Sequence, residues 1–169
     1  MKQSEVMLRA LEPEDLDMLY RIENDRELWD VGCTNVPYSR YVLHEFIVRS
    51  TGDIYADRQV RLIAEDCHRQ TVGIVDLQDF DPQHRRAEVG ILIVSSQRRQ
   101  GYACSALTQL HRYAAQTLHL HQLYGFVSAR NVAATALFRC LGYQFSEPLT
   151  DWLYDGRDYH DAFLVQKIL

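Results

Sequence analysis

Residues 88–104 concentrate the groups most able to do chemistry. An apolar run from Glu88 to Val94 feeds a polar turn, SSQRRQG over 95–101, and then an apolar helical pattern that opens with Tyr102, Ala103 and Cys104. A strand leading through a glycine turn into a helix start aims several free backbone N–H groups at one spot. The helix dipole adds positive potential there, so such a spot binds phosphate. Gly101 lets the backbone come close to a ligand where a Cβ would obstruct it. Arg98 and Arg99 can add charge-assisted contacts. Gly101 also reads, more simply, as a tight strand-to-helix turn. The segment holds neither GxGxxG nor GxxxxGK[ST], so dinucleotide and nucleoside-triphosphate loops fit poorly.

Metal and disulfide chemistry find less support. Cys33, Cys67, Cys104 and Cys140 lie at least 34 residues apart and form no ligand spacing. Four buried thiols in a reducing compartment are the expectation. His119 and His121 would share a face on a strand, but no third ligand stands at a suitable spacing, so no metal is expected.

The elements that must position the loop follow from periodicity. Val6–Arg9 suits a short strand, and Pro13 with Glu14 and Asp15 signals a helix start. A second helix begins at the cap Ser39, presents Val42, Leu43, Phe46 and Ile47, and ends at Gly52 and Asp53. The period then changes to two, predicting strands over Val60–Glu65, Thr71–Phe80 and Arg86–Val94. Ala103, Ala106, Leu107, Leu110, Tyr113 and Ala114 mark the strongest helix. A strand over Gln122–Ser128, a helix over Asn131–Leu141 stopped by Gly142, and strands near Tyr143–Tyr154 and Tyr159–Ile168 complete the chain. The order gives a mixed α/β (α+β) sheet in a single domain over residues 1–169.

Composition narrows the class. The chain is 47% hydrophobic and 24% charged with net charge −5, which argues against a nucleic-acid binder. No apolar run approaches the length of a membrane span, and the start of the chain has no signal-peptide core, so a cytoplasmic protein is expected. Residues 1–57 carry 12 acidic and 6 basic side chains, a balance of −6, against +1 for the remainder. Asp15, Asp17, Glu23, Asp25, Glu27 and Asp30 hold much of that excess. They read either as a solvated helix face or as an acceptor side that favours a cation.

RRQGYA over 98–103 resembles the acyl-CoA loop, [Q/R]xxGx[G/A], of the GNAT superfamily of N-acetyltransferases. ARNVAATALFRCLGY over 129–143 resembles that family's second signature, an asparagine-led helix ending in Leu-Gly-(Phe/Tyr). HRRAE over 84–88 and YDGRDYHDA over 154–162 are similar to its spermidine and ribosomal-protein branch. The resemblance spans residues 6–168 and implies a mostly antiparallel sheet splayed between strands 4 and 5, with about four flanking helices.

It also implies acetyl-CoA as cosubstrate and assigns roles by position. The backbone of Ile91, Leu92 and Ile93 would pair with the pantetheine arm like an added strand. Amides of Arg98, Arg99, Gln100, Gly101, Tyr102 and Ala103 would hold the pyrophosphate. Asn131 would face the pantetheine or simply cap its helix. Glu88, on one strand face with Gly90 and Leu92, would take the proton of the incoming amine, or instead pair with Arg85 or Arg86. A backbone N–H near Leu92 or Ile93 would stabilise charge on the acyl oxygen.

The sequence departs from the pattern at Phe138. Many relatives carry there a tyrosine that protonates the departing thiolate, and phenylalanine cannot. The acceptor expected from the resemblance is a small amine such as a polyamine, or a peptide N-terminus. A catalytically weak acyl-CoA-binding module is the alternative, and the branch often self-associates.

Overall fold

The computed structural model of the protein describes residues 4–25 and 37–169. The period-two segments form β1 (Met7–Ala10), β2 (Val60–Glu65), β3 (Thr71–Asp81), β4 (Arg86–Ile93), β5 (Gln122–Ser128), β6 (Gln144–Phe145), β7 (Leu149–Tyr154) and β8 (Tyr159–Ile168). The helical segments form α1 (Leu16–Glu23), α2 (Arg40–Arg49), the single turn α3 (Ile54–Asp57), α4 (Tyr102–Gln116) and α5 (Val132–Cys140). Side-chain oxygens supply the missing acceptors at helix starts. Ser39 Oγ accepts the Val42 N–H at 3.1 Å, and Asn131 Oδ1 accepts the Ala134 N–H at 2.9 Å.

Three expectations change. α2 stops at Arg49 rather than at Gly52, because Asp53 starts a separate turn by accepting the Tyr55 N–H at 2.8 Å. The strand expected near Tyr143–Tyr154 is broken into β6 and β7 around Pro148, whose ring leaves no N–H for a ladder. His119 and His121 lie in the α4–β5 connection, before the strand expected from Gln122, and are held there by Arg85: its side chain donates to His119 O, and its carbonyl accepts from His121 N. Cys67 and Cys140 are exposed rather than buried, one in the β2–β3 turn and the other at the end of α5; Cys33 lies outside the described residues.

The strands make one sheet in the order β1-β2-β3-β4-β5-β8-β6, with β7 also paired to β8. Only β4 and β5 run parallel, as a strand–helix–strand crossover through α4 requires. The antiparallel pairings on either side are long, β3 with β4 and β5 with β8. The parallel one joins only 86–88 to 122–124 and ends at Glu88 opposite Tyr124. Beyond that pair the strands part, which is the splay that the family resemblance implies.

Each face of the sheet has its own core. Val75, Leu77, Ala87, Val89, Leu123 and Val127 pack with α4 and with Phe138 of α5. Ile63, Ile74 and Leu92 pack on the other face with Leu19 and Ile22 of α1 and Leu43 and Ile47 of α2. Those two helices cover the β2–β4 half. The β5–β8 half of that face carries exposed rings.

Candidate active site

The splay exposes a defined set of backbone groups. The Val94 N–H donates to Val72 O at 3.0 Å, and hydrogen-bonded pairs alternate along an antiparallel ladder. Glu88, Gly90 and Leu92 therefore turn their N–H and C=O groups to β3. Val89, Ile91 and Ile93 turn theirs toward β5, whose pairing with β4 ends at Glu88 opposite Tyr124, so that Ile91 and Ile93 meet no strand. Leu92 thus differs from its expected role: its amide faces Ile74 and its side chain joins the α1–α2 core. Of the two amides expected near the acyl oxygen, Ile93 faces the opening and Leu92 does not. The Val89 carbonyl lies so close to Gly125 that a Cβ there would meet it at 3.2 Å, so glycine lets β5 begin to part from β4 without a clash.

The 98–103 loop closes one end of this opening. Arg98 Nε donates to Ile93 O at 3.1 Å, which ties the loop to the last exposed carbonyl of β4. Arg99 and Gly101 both adopt positive φ, 64° and 86°. A Cβ at 101 would meet nothing nearer than Ser4 N at 3.8 Å, so the glycine answers to its backbone conformation and not to crowding within the chain. Gln100 is held by its own carbonyl, which accepts from Ser4 Oγ at 2.7 Å, and by its side-chain amide on Gln97 and Ser96. Tyr102 and Ala103 form the first turn of α4, and the Tyr102 ring packs on the core. Among the described residues, the amides of Arg99 through Ala103 donate to no backbone carbonyl. This is a nest of free donors at the start of a 15-residue helix.

Asn131 caps α5, so its Oδ1 is engaged while its side-chain N–H groups are left to other partners. One turn further on, Thr135 Oγ1 is buried with no hydrogen-bond partner. Phe138 is 5% exposed, and its ring meets Tyr143 edge-on at 4.8 Å. No proton can come from it. The free strand edge and the loop amides together fit an extended, amide-bearing, phosphorylated ligand.

On the opposite face, Glu88 shares a row with Gln78, Asp76, Gly90 and Tyr124. Neither arginine expected to neutralise it does so: Arg85 holds His119 O and Arg86 pairs with Asp81 at 3.3 Å. Burial pushes the Glu88 carboxyl above the usual range, and the Asp79 charge adds to the shift. Asp79 is brought near by a bulge in β3, where Asp79 and Phe80 together oppose Ala87, and its φ is 48°. Burial also raises the Tyr124 phenol, as do the charges of Glu88 and Asp79. Sequence reasoning missed Asp79 and Tyr124; the period-two run over 71–80 gave no sign of the bulge.

The acids of the first third are mostly engaged elsewhere. Asp15 binds Arg9 at 2.6 Å, Glu23 and Asp76 share Arg61, and Asp17 binds Arg40. Glu27 and Asp30 lie outside the described residues. Among the described residues no helix is long and apolar enough to cross a membrane, and no group of three or more His, Cys, Asp or Glu could hold a metal ion.

A family model described as an acetyltransferase (GNAT) domain matches residues 5–144. The chain belongs to the GNAT family. This GNAT protein is 26% identical over 159 residues to the spermidine N(1)-acetyltransferase of Vibrio cholerae serotype O1, covering 94% of this chain and 90% of that one. The crystal structure of spermidine N-acetyltransferase from Vibrio cholerae in complex with CoA and spermine matches with a TM-score of 0.85 at 26% identity, covering 97% and 95% of the two chains. A dodecameric structure of the Vibrio cholerae protein matches with a TM-score of 0.82 at 26% identity, covering 97% and 94%. The GNAT chain described here is accordingly an N-acetyltransferase that uses acetyl-CoA.

Proposed function

We propose that this chain acetylates a polyamine of the spermidine class, as one domain over residues 1–169, in the cytoplasm and as a homo-oligomer. The observation that carries the reading is the splay itself. One side of it offers free strand amides and a helix-start nest to an anionic thioester. The other offers a desolvated, unpaired carboxylate to an ammonium group. The similarity to spermidine acetyltransferases supports the acceptor class, and the dodecameric relative supports self-association.

Acetyl-CoA supplies an activated acyl carbon when bound. Ile91 and Ile93 align its pantetheine arm along β4, the 98–103 amides with Arg98 and Arg99 hold its pyrophosphate, and Asn131 flanks the arm from α5, with Phe138 behind it in the core. Glu88 accepts the proton of the acceptor ammonium, directly or through water, which frees a lone pair on nitrogen. That nitrogen bonds to the acyl carbon as the carbon–sulfur bond breaks. The Ile93 N–H faces the charge that develops on the acyl oxygen. A thiol of pKa about 8.5 leaves as thiolate near neutral pH, so Phe138 does not stop turnover. Thiol release from acetyl-CoA over a panel of polyamines, monoamines and peptide N-termini tests the reading. Turnover with spermidine or spermine well above the rest is expected. Preference for a peptide would replace the polyamine, and binding of CoA without turnover of any amine would leave an acyl-CoA-binding module.

A further inference from the structure

Tyr124 and Phe126 are two residues apart on β5 and stand on the face that carries Glu88. Their rings meet nearly perpendicular at 6.3 Å. Trp152 of β7 reaches across β8 and stacks on Phe126 at 5.4 Å with 22° between the planes. The three rings thus form a continuous wall from the end of the β4–β5 pairing to the outer hairpin. Phe126 is 38% and Trp152 54% exposed, an unusual outlay of aromatic surface on a face whose other half is covered by α1 and α2. The inner end of the wall lies in the field of Glu88 and Asp79, which both act on the Tyr124 phenol. Among the described residues, the one cation that acts on that phenol, Arg86, is already paired with Asp81.

Rings that run outward from a pair of carboxylates suit one kind of occupant, an apolar carbon chain carrying spaced positive charges. Methylene groups lie on ring faces, ammonium groups sit over them by cation–π attraction, and the carboxylates complete the neutralisation. We propose that Phe126 and Trp152, continued by Tyr124, form the surface on which a linear polyamine lies while its terminal nitrogen reaches Glu88, and that this wall selects polyamines over short amines. The proposal rests on the polyamine reading given above and adds the residues that would enforce it.

Calorimetric titration of spermidine into the CoA-saturated protein separates the two. The expected result is a dissociation constant about tenfold weaker in Trp152→Ala, with the CoA constant unchanged. Trp152→Phe, which keeps a ring, stays within about threefold of the parent, while Trp152→Leu, which keeps only bulk, behaves like the alanine variant. In turnover the same loss falls on KM for spermidine, with kcat within about twofold. Unchanged spermidine affinity in Trp152→Ala, or equal affinity in the leucine and phenylalanine variants, overturns the wall and leaves the polyamine reading standing. No spermidine or spermine binding by the parent protein overturns both. A changed subunit number for Trp152→Ala in sedimentation also overturns the wall, because the rings would then lie between copies of the chain.

Discussion

On the α4 face, the groups offered to an anion are backbone amides fixed by a strand edge and a helix start. On the α1–α2 face, the groups offered to a cation are carboxylates and rings brought together from β3, β4, β5 and β7. The first set cannot be deleted by changing a side chain; it can only be blocked. The second can be taken apart one residue at a time, and each removal should leave CoA binding untouched. The two half-sites are therefore separable by mutation although they meet at a single opening.

The sharpest way to break that separation is at Glu88. Glu88→Gln is expected to lower kcat by about 100-fold with no change in CoA affinity, read by thiol release and calorimetry. The parent rate should fall on acidification through a limb lying above the ordinary carboxylate range, because burial and Asp79 raise this group. The variant should lack that limb. Stability moves the other way. A carboxyl whose folded-state pKa is raised favours folding while protonated and loses that contribution as pH rises through the raised value. At neutral pH the ionised Glu88 is thus a cost, and the glutamine variant should melt slightly higher than the parent. A drop in both kcat and melting temperature would mark Glu88 as a structural group.

A smaller effect is expected at Phe138, which belongs to the α4-face core. Phe138→Tyr introduces a hydroxyl beside Tyr143 in a packed cluster, and an unpaired buried hydroxyl costs about 1–3 kcal/mol. The melting temperature should fall by several degrees while kcat stays within about threefold, since thiolate departure needs no acid. A large rise in kcat would show that departure limits turnover.

The smallest effect concerns Asp79, which is exposed and contributes through its field alone. Asp79→Asn is expected to raise KM for spermidine by about two- to threefold and to flatten its rise between low salt and about 0.15 M. An unchanged salt dependence would remove Asp79 from the acceptor side.

The α4-face half was legible in the sequence because it is local. Strand, turn, glycine and helix start are consecutive over 88–103, and the asparagine-led helix repeats the economy over 131–143. What the sequence hid there was direction: which of Ile91, Leu92 and Ile93 turns outward depends on pairing with β3, and register is not written in a run of apolar residues. The other half was largely illegible. The acidic excess of residues 1–57 suggested an acceptor surface, yet Asp15 and Asp17 are held by Arg9 and Arg40 of the same segment and Glu23 by Arg61 of β2. The carboxylate that joins Glu88 comes instead from a bulge, and the wall from strands that meet only across β8. Contacts between residues 26 or more apart carry no local signature; Phe126 and Trp152 are such a pair.

On the proposed reading, CoA binds at the opening between β4 and β5, closed by the 98–103 loop. Calorimetric titration of CoA into the parent protein and Gly101→Glu tests it most directly. A glutamate at 101 places bulk and negative charge among the loop amides, and a Cβ there meets nothing nearer than Ser4 N at 3.8 Å; the strain of a side chain at φ 86° is shared by Gly101→Ala, which adds neither charge nor length and should lose far less affinity. The expected result is an affinity loss of at least about 100-fold, with a circular-dichroism spectrum like the parent's and spermidine binding retained. CoA binding at parental affinity in that variant would place the cosubstrate elsewhere on the molecule.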